Sequence, residues 1–348
     1  MKGRVYLDWN ATTPLRPEAR AAMIAAMDVV GNPSSVHAEG RAAKRLIERA
    51  RADVAEALGS DGADIVFTSG ATEAAALACA GRGLHCAGVE HEAVLAWCAA
   101  DLHLDGAGQV VMVDPGRSAV QLANSETGVV QDLPQGVAMC DMTQGFGKLP
   151  LAFNWLGCQT ALISAHKLGG PKGIGALVVR QGLDFAPQLR GGGQESGRRA
   201  GTENVIGIAG FAAAASAAAR DLAEGVWDKV AEIRNILNLA LSEFGIQTIS
   251  VGNTVRRLPN TLCVIAPGWK GETQVMAMDL AGFAVSAGSA CSSGKVRASR
   301  VLTAMGYSDA LAGQAIRISL GPDVSRDQVL RFAEVWSRDY KRITSRAA

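Results

Sequence analysis

Apolar and polar positions change period along this chain in a regular way. Short apolar runs at Asp64-Ile65-Val66-Phe67-Thr68 and at residues 84–89, 110–113, 120–123, 136–140, 160–163 and 174–179 have the length and β-branched content of buried strands. Between them lie alanine-rich stretches of helical spacing. These are residues 17–30, with Pro17 at a first helical position, 36–58 with a heavily charged face, 74–80, 93–100 and 205–220. Strands alternating with helices predict an α/β protein with neighbouring parallel strands. A long helical stretch over 222–244 then leads to a second group of strands at 247–251, 261–265 and around Ile316-Arg317-Ile318-Ser319.

Length and composition sharpen this picture. The chain has 348 residues, more than one hydrophobic core usually serves, which predicts one large domain and one smaller one. Hydrophobic residues make up 48% and there are 40 glycines, which suits a tightly packed enzyme and argues against disorder. A net charge of +1 gives no basic footprint for nucleic acid. No apolar run approaches the length of a membrane span, and Met1-Lys2-Gly3-Arg4 leads into Val5-Tyr6-Leu7 with no signal-peptide core, so the expectation is a soluble cytoplasmic protein with no membrane partner. Seven cysteines, an odd number with no C-x-x-C pair, suggest neither a disulfide framework nor a zinc knuckle, and no metal is expected. Cys79, Cys86, Cys98, Cys140, Cys158 and Cys263 lie in apolar settings and read as small core residues.

Several predicted strands end in residues that carry chemistry. Ser164-Ala165-His166-Lys167 follows the run ending at Ile163, and Leu168-Gly169-Gly170-Pro171-Lys172-Gly173 turns the chain into the next. A lysine at the end of an interior strand is costly unless its charge is used or removed. Burial lowers its pKa, and a partly neutral amine is what a Schiff base to an aldehyde cofactor needs. On these residues alone, a strand-end lysine snorkelling to water is an equal reading. Asp141 closes the 136–140 run one crossover before Lys167, and a carboxylate there needs a cationic or hydrogen-bonding partner. Acid and lysine on neighbouring strand ends suit pyridoxal phosphate, with the lysine holding C4′ and the acid keeping the ring nitrogen protonated.

Other positions have two readings each. Ser69-Gly70-Ala71-Thr72-Glu73 makes a phosphate seat at a helix N-terminus, or the cap that every helix requires. His91 stands at a strand's C-terminal edge, where open α/β sheets keep ligands, and either stacks on a flat ring and relays protons or merely opens the next helix. Asn32, extended before Pro33, faces a substrate or caps a helix C-terminus. The glycine- and arginine-rich residues 189–204 read as an anion site or a subunit contact rather than a linker. Cys291 lies among Gly288, Ser289, Ala290, Ser292, Ser293 and Gly294, with nothing to bury it, and Lys295 and Arg297 favour a thiolate. A working nucleophile is a better account of it than an idle exposed thiol. Arg317, inside an alternating strand, suits bidentate contact with a carboxylate.

The whole chain resembles a cysteine desulfurase of the NifS/IscS type, in the class V branch of fold-type I pyridoxal-phosphate enzymes. The resemblance is carried, in order, by Leu7-Asp8 with Asn10-Ala11-Thr12-Thr13, Gly31-Asn32-Pro33-Ser34-Ser35, Thr68-Ser69-Gly70-Ala71-Thr72-Glu73 and Glu90-His91. It continues through Glu126-Thr127-Gly128, His166-Lys167 with Gly170-Pro171-Lys172-Gly173, Gly191-Gly192-Gly193-Gln194-Glu195, Gly201-Thr202-Glu203-Asn204 and Gly288-Ser289-Ala290-Cys291. It implies a large cofactor-binding domain over residues 15–240, with a mostly parallel seven-stranded sheet sandwiched by helices. A smaller α+β domain from residues 1–14 and 241–348 would carry the cysteine loop.

The resemblance further implies a homodimer that takes sulfur from L-cysteine, leaves L-alanine and a persulfide on Cys291, and hands the sulfur to an acceptor or iron–sulfur scaffold protein. Lys167 would be the Schiff-base lysine, Asp141 the pyridinium partner, Gln144 the contact to the phenolic oxygen, and His91 the stacking, proton-moving ring. Ala71, Thr72, Ser164 and His166 would hold the phosphate with the partner subunit's Thr202, while Asn32 and Arg317 grip the substrate carboxylate.

Some positions depart from the family pattern. Ser125 stands where the family has a second asparagine contacting the cofactor oxygen, and the shorter hydroxyl reaches only through water. Trp9 replaces a polar residue near the entrance. The segments between residues 113 and 119 and between 133 and 137 are short, and so is the C-terminus, which leaves the choice of acceptor open. Rival readings are a selenocysteine lyase, another class V aminotransferase, or a non-catalytic assembly partner.

Overall fold

The computed structural model describes residues 3–243, 248–288 and 298–347. The chain begins with β1 (Val5–Tyr6), α1 (Pro17–Met27) and α2 (Ala38–Leu58), then runs through β2 (Asp64–Thr68), α3 (Ala71–Cys79), β3 (His85–Ala87), α4 (Glu92–Leu95) and β4 (Ala99–Leu102). Next come β5 (Ala119–Gln121), β6 (Met139–Asp141), α5 (Phe153–Leu156), β7 (Thr160–Ser164) and β8 (Gly175–Val179), followed by α6 (Val205–Ala223) and α7 (Val226–Glu243). The remainder is β9 (Ile249–Ser250), β10 (Thr261–Ile265), α8 (Gly271–Leu280), β11 (Phe283–Ala284), β12 (Ser286–Ala287), α9 (Arg300–Ala304), α10 (Asp309–Ala312), β13 (Ala315–Ser319) and α11 (Arg326–Ala347).

Five strands in the order β2-β8-β7-β6-β5 form the main sheet, and the β3–β4 pair extends it through a parallel bridge from His85 to Ser118. Only β8 runs against its neighbours, so this seven-stranded assembly is mostly parallel. Alternate side chains leave opposite faces of each strand. Ile65, Phe67, Ile163 and Val178 pack with Ile47 and Val54 of α2 and Phe211 of α6, while Val66, Leu162, Leu177 and Val179 pack with Leu77 of α3. Both faces are covered, which is why these strands are continuous apolar runs in the sequence.

Three expectations are corrected here. Residues 93–100 were expected to be helical, yet the helix stops at Leu95 and Ala99–Leu102 pairs with β3. Ladder hydrogen bonds at the sheet's edge outweigh alanine's helical preference. Residues 110–113 contribute only a bridge between Leu104 and Val110 rather than a strand. The expectation of no span-length apolar stretch also fails for α6, which has 19 residues and a mean hydropathy of 1.4. Its small residues serve close packing, because a Cβ on Gly210 would meet Met23 of α1 at 2.6 Å and Pro171 at 3.1 Å.

Residues 189–204 are tied down within the chain. Arg51 pairs with the buried Glu195 (Nη1–Oε2, 2.7 Å), whose carboxylate also accepts from the Phe67 N–H at 2.9 Å. Arg198 pairs with Asp64 at 2.6 Å and Arg199 with Glu73 at 2.8 Å. Two of the arginines read as an anion or subunit site thus have acids of their own chain. These contacts hold Glu195 and Ser196 at φ 47° and 57°, a region non-glycine residues rarely adopt.

The second sheet has the order β12-β13-β10-β9, all antiparallel, with β1 paired in parallel to β11 beside it. Leu262, Val264, Ile316 and Ile318 face Trp227 of α7 and Phe332 and Trp336 of α11, whereas Cys263 and Ile265 face Leu302 and Ala312. Trp9 turns toward this core, edge-on to Trp227 at 6.5 Å, rather than standing at an entrance. Only glycine at 321 leaves room for its indole, since a Cβ there would come within 1.8 Å.

Candidate active site

β7 ends at the buried Ser164, and a single 3-10 turn, Ala165–Lys167, swings the lysine off the sheet's rim. Its Nζ donates to the carbonyls of Asn10 at 2.6 Å and Ala11 at 2.9 Å, so the amine is taken up by backbone. Burial and the nearby Arg317 charge bring its pKa down to about 8, against the opposing pull of Asp141 and Asp8. An ordinary lysine titrates near about 10.4. In the cofactor-free chain, acylation of Lys167 is therefore expected to rise with pH around a midpoint near 8, well before a lysine of ordinary pKa reacts; peptide mass spectrometry across a pH series checks this.

Asp141 closes β6, the strand beside β7, where it is paired in register with Leu162. Its Oδ1 accepts from the Thr143 N–H at 2.9 Å, and because β6 and β7 are neighbours the acid and the amine stand at adjacent strand ends. No ion pair to Asp141 occurs among the described residues. The hydroxyl of Thr143, next to it, is buried with no hydrogen-bond partner among the described residues.

The arm from Asp8 to Thr13 lines this space. Asn10 is 1% exposed: its N–H donates to Ser319 Oγ at 3.0 Å, its Nδ2 to Thr261 Oγ1 at 2.8 Å and to the Ser125 carbonyl at 3.1 Å. Its carbonyl accepts from Lys167 Nζ and also from Gln144 Nε2 at 2.9 Å. Thr13 donates through N–H and hydroxyl to the His166 carbonyl, both at 3.0 Å. His166 Nδ1 lies 3.1 Å from Thr12 Oγ1, and burial with the charges of Lys167, Lys172 and Lys148 lowers its pKa to about 4. The ring is neutral at physiological pH.

Arg317 reaches in from β13. Nη2 pairs with Asp8 Oδ1 at 2.6 Å and Nη1 donates to the Ser125 carbonyl at 3.1 Å, while Nε has no partner among the described residues. The backbone of Ser125, not its hydroxyl, makes these contacts. Glu126 is half-buried and desolvation pushes its pKa up to about 7, with Ser299 Oγ donating to Oε2 at 2.5 Å. A Cβ on Gly288 would meet the same Oε2 at 2.8 Å, so this carboxyl touches both flanks of residues 289–297. Cys291, expected as the nucleophile, lies with Lys295 and Arg297 outside the described residues.

At the far side, α3 begins at Ala71 with no side-chain cap on its first N–H groups. A side chain at Gly175 of β8 would meet the Ile163 carbonyl at 2.6 Å and Gly70 Cα at 2.8 Å, so the Ser69-Gly70 turn rests directly on the sheet. Gly175→Ala is expected to lower stability by about 1–3 kcal/mol and to displace the α3 N-terminus, weakening phosphate capture. Denaturant midpoint and cofactor affinity measure the two effects.

The remaining expected site residues are less gathered. His91 caps α4, exposed, with Nδ1 accepting from the Ala93 N–H at 3.1 Å. Beneath it Glu90 is fully buried, its pKa raised first by burial, with Gln121 N–H on Oε1 and no partner for Oε2 among the described residues. Thr72, Asn32 and Thr202 are exposed; Asn32 Oδ1 accepts from the Ser34 N–H at 2.9 Å. No hydrogen bond or ion pair joins Asn32 or Thr202 to the Lys167 group among the described residues. A lowered amine, an uncapped helix start, a neutral imidazole and, among the described residues, a carboxylate without an ion pair and a buried hydroxyl without a partner suit a phosphorylated aldehyde with a basic ring nitrogen. Sequence reasoning passed over Asn10, Thr143, Glu90 and Lys148, the last buried at 2% exposure beside Gln144.

The family model Aminotransferase class-V matches residues 5–103 and 111–332. A cysteine desulfurase of Frankia sp. (strain EuIK1) is 37% identical over 98% of this chain and 92% of that protein. Cysteine desulfurase IscS of Dictyoglomus turgidum is 34% identical over 97% of this chain and 95% of its own length. The X-ray structure of a NifS-like protein from Rickettsia africae superimposes with a TM-score of 0.86 at 31% identity, covering 97% of this chain and 99% of that one.

Proposed function

The chain belongs to the class-V aminotransferase family, and on that premise we propose how its residues perform the work of a cysteine desulfurase, which turns L-cysteine into L-alanine. The observation that carries the reading is Lys167: an amine whose pKa burial lowers to about 8, on the strand end beside Asp141, with Gln144 directed at the same Asn10 carbonyl. The residues present fit pyridoxal phosphate, which when bound supplies an aldehyde for the substrate amine and a ring that draws off electron density.

Each residue then has a task. The first N–H groups of α3 at Ala71 and Thr72, with Ser164, the neutral His166 and the partner subunit's Thr202, would take the phosphate. Lys167 Nζ would hold the aldehyde carbon at rest and, once released, serve as the base at the substrate Cα. Asp141 would keep a proton on the ring nitrogen, His91 would cover the ring face, and Gln144 Nε2 would donate to the phenolic oxygen with Ser125 alongside. Arg317 engages two of its five N–H donors with Asp8 and Ser125, which leaves three for the substrate carboxylate, shared with Asn32.

Cys291 would attack the substrate sulfur as thiolate. One S–S bond forms as the carbon–sulfur bond breaks, and a proton delivered to the β-carbon completes alanine. Cysteine plus thiol thus becomes alanine plus persulfide, and a reducing thiol is needed to set sulfide free. The reading includes a homodimer, since Thr202 lies exposed and apart from its own Lys167, and a protein acceptor for the sulfur. We place the protein in the cytoplasm, where six described free thiols stay reduced.

The test is alanine and sulfide release from L-cysteine. With excess dithiol the two products are expected in equal amounts, and with L-cysteine alone alanine exceeds sulfide by the sulfur retained as persulfide. No alanine from cofactor-loaded protein in either condition overturns the reading.

A further inference from the structure

Lys148 lies in the loop after β6, 2% exposed. A buried ammonium is ordinarily set against a carboxylate, yet no ion pair to Lys148 occurs among the described residues. Its Nζ donates to Gln144 Oε1 at 2.9 Å and reaches Asn10 Oδ1 at 3.5 Å. The charges that act on it, Lys167 and Arg317, both repel it, and with burial they bring its pKa down to about 7. Nothing electrostatic favours an amine here, so its use must lie in what it donates to.

A carboxamide is a donor at one end and an acceptor at the other, and an unrestrained one presents either. Lysine nitrogen keeps N–H groups whether charged or neutral. In its charged form it can only donate, so Lys148 claims the carbonyl end of Gln144, which leaves the NH2 end for the Asn10 carbonyl, the oxygen that also receives Lys167 Nζ. Asn10 is itself fixed in one sense, with Nδ2 donating to Thr261 and Ser125 and Oδ1 accepting from Asn260 at 3.0 Å.

We propose that Lys148 is a positioning residue: by donating to Gln144 Oε1 it holds the N–H donors of the Gln144 amide toward the Lys167 pocket, ready for an oxygen acceptor placed there. The proposal rests on the reading of Gln144 as the contact to the cofactor's phenolic oxygen. Without Lys148 the amide is free to present its carbonyl to that oxygen, replacing a hydrogen bond with a repulsion.

The experiment uses the full chain labelled with 15N-glutamine, first without cofactor, and follows exchange of side-chain amide protons. Gln274, whose Nε2 is buried on the carbonyls of Trp269 and Gln314, serves as a remote reference. In Lys148→Met, Gln144 is expected to exchange about ten-fold faster while Gln274 is unchanged. Equal exchange of Gln144 in variant and native chain overturns the proposal, as does a parallel rise in both glutamines. Lys148→Gln retains a donor toward Oε1 and is expected to keep Gln144 protected; an unprotected Gln144 in that folded variant refutes the proposal whether or not Lys148→Met folds. In loaded protein, the pH midpoint of the cofactor's visible band is expected to move in Lys148→Met in the direction it moves in Gln144→Ala, with no further change in the double variant. A midpoint that responds to Gln144→Ala alone overturns the proposal, whereas a chain that binds no cofactor refutes the function and leaves the exchange result standing.

Discussion

Lys167→Ala is expected to reduce alanine release from L-cysteine by at least about 10³-fold, the upper part of what a positioned base alone contributes. Two roles vanish together: the amine that anchors the aldehyde and the base at the substrate Cα. The protein should fold, because alanine at the end of the 3-10 turn leaves β7 and its core contacts untouched. The visible absorbance of the bound cofactor should be lost or altered, while the denaturant midpoint stays close to that of the native chain. Lys167→Arg is not expected to rescue activity, since a guanidinium stays charged across the working pH range and can neither anchor an aldehyde nor accept a proton. Alanine release at a native rate from either variant would dismiss the assignment of Lys167.

Cys291→Ala is expected to remove sulfide production by about 10³-fold or more, as loss of an essential nucleophile does elsewhere. Cofactor absorbance and the pH midpoint of Lys167 labelling should persist, because burial, Arg317, Asp141 and Asp8 set that midpoint. This split separates a desulfurase from its rivals in the family. An aminotransferase uses no thiol and would keep its rate in the variant, and a non-catalytic assembly partner would show no alanine even in the native chain. Thiol labelling of Cys291 after cysteine treatment, with and without reductant, reports whether sulfur passes through it.

The parts of the fold legible in the sequence are those whose burial is decided locally. Asp64–Thr68, Thr160–Ser164 and Thr261–Ile265 are strands because runs of β-branched and apolar residues, covered on both faces, have no other stable use. Ala99–Leu102 is a strand for the opposite reason: its residues favour a helix, and only the free edge of β3 decides otherwise. The same division holds in the site. Lys167 and Asp141 stand at strand ends, a position visible from periodicity. Lys148, in Gly147-Lys148-Leu149-Pro150, looks like a solvated turn residue, and nothing nearby in the chain signals that Asn10 will cover it. Arg198 and Arg199 looked available to an anion because their acids, Asp64 and Glu73, lie far back in the chain.

The arm that supplies Asn10 carries a consequence for how the molecule is made. It is synthesised long before its anchors, Thr261, Phe283, Arg317 and Ser319, which follow at roughly 5–20 residues per second. Until they emerge, the carbonyls that receive Lys167 lie on an arm that nothing from the second sheet holds. A nascent or clipped product that lacks those anchors therefore holds the amine without its shelter.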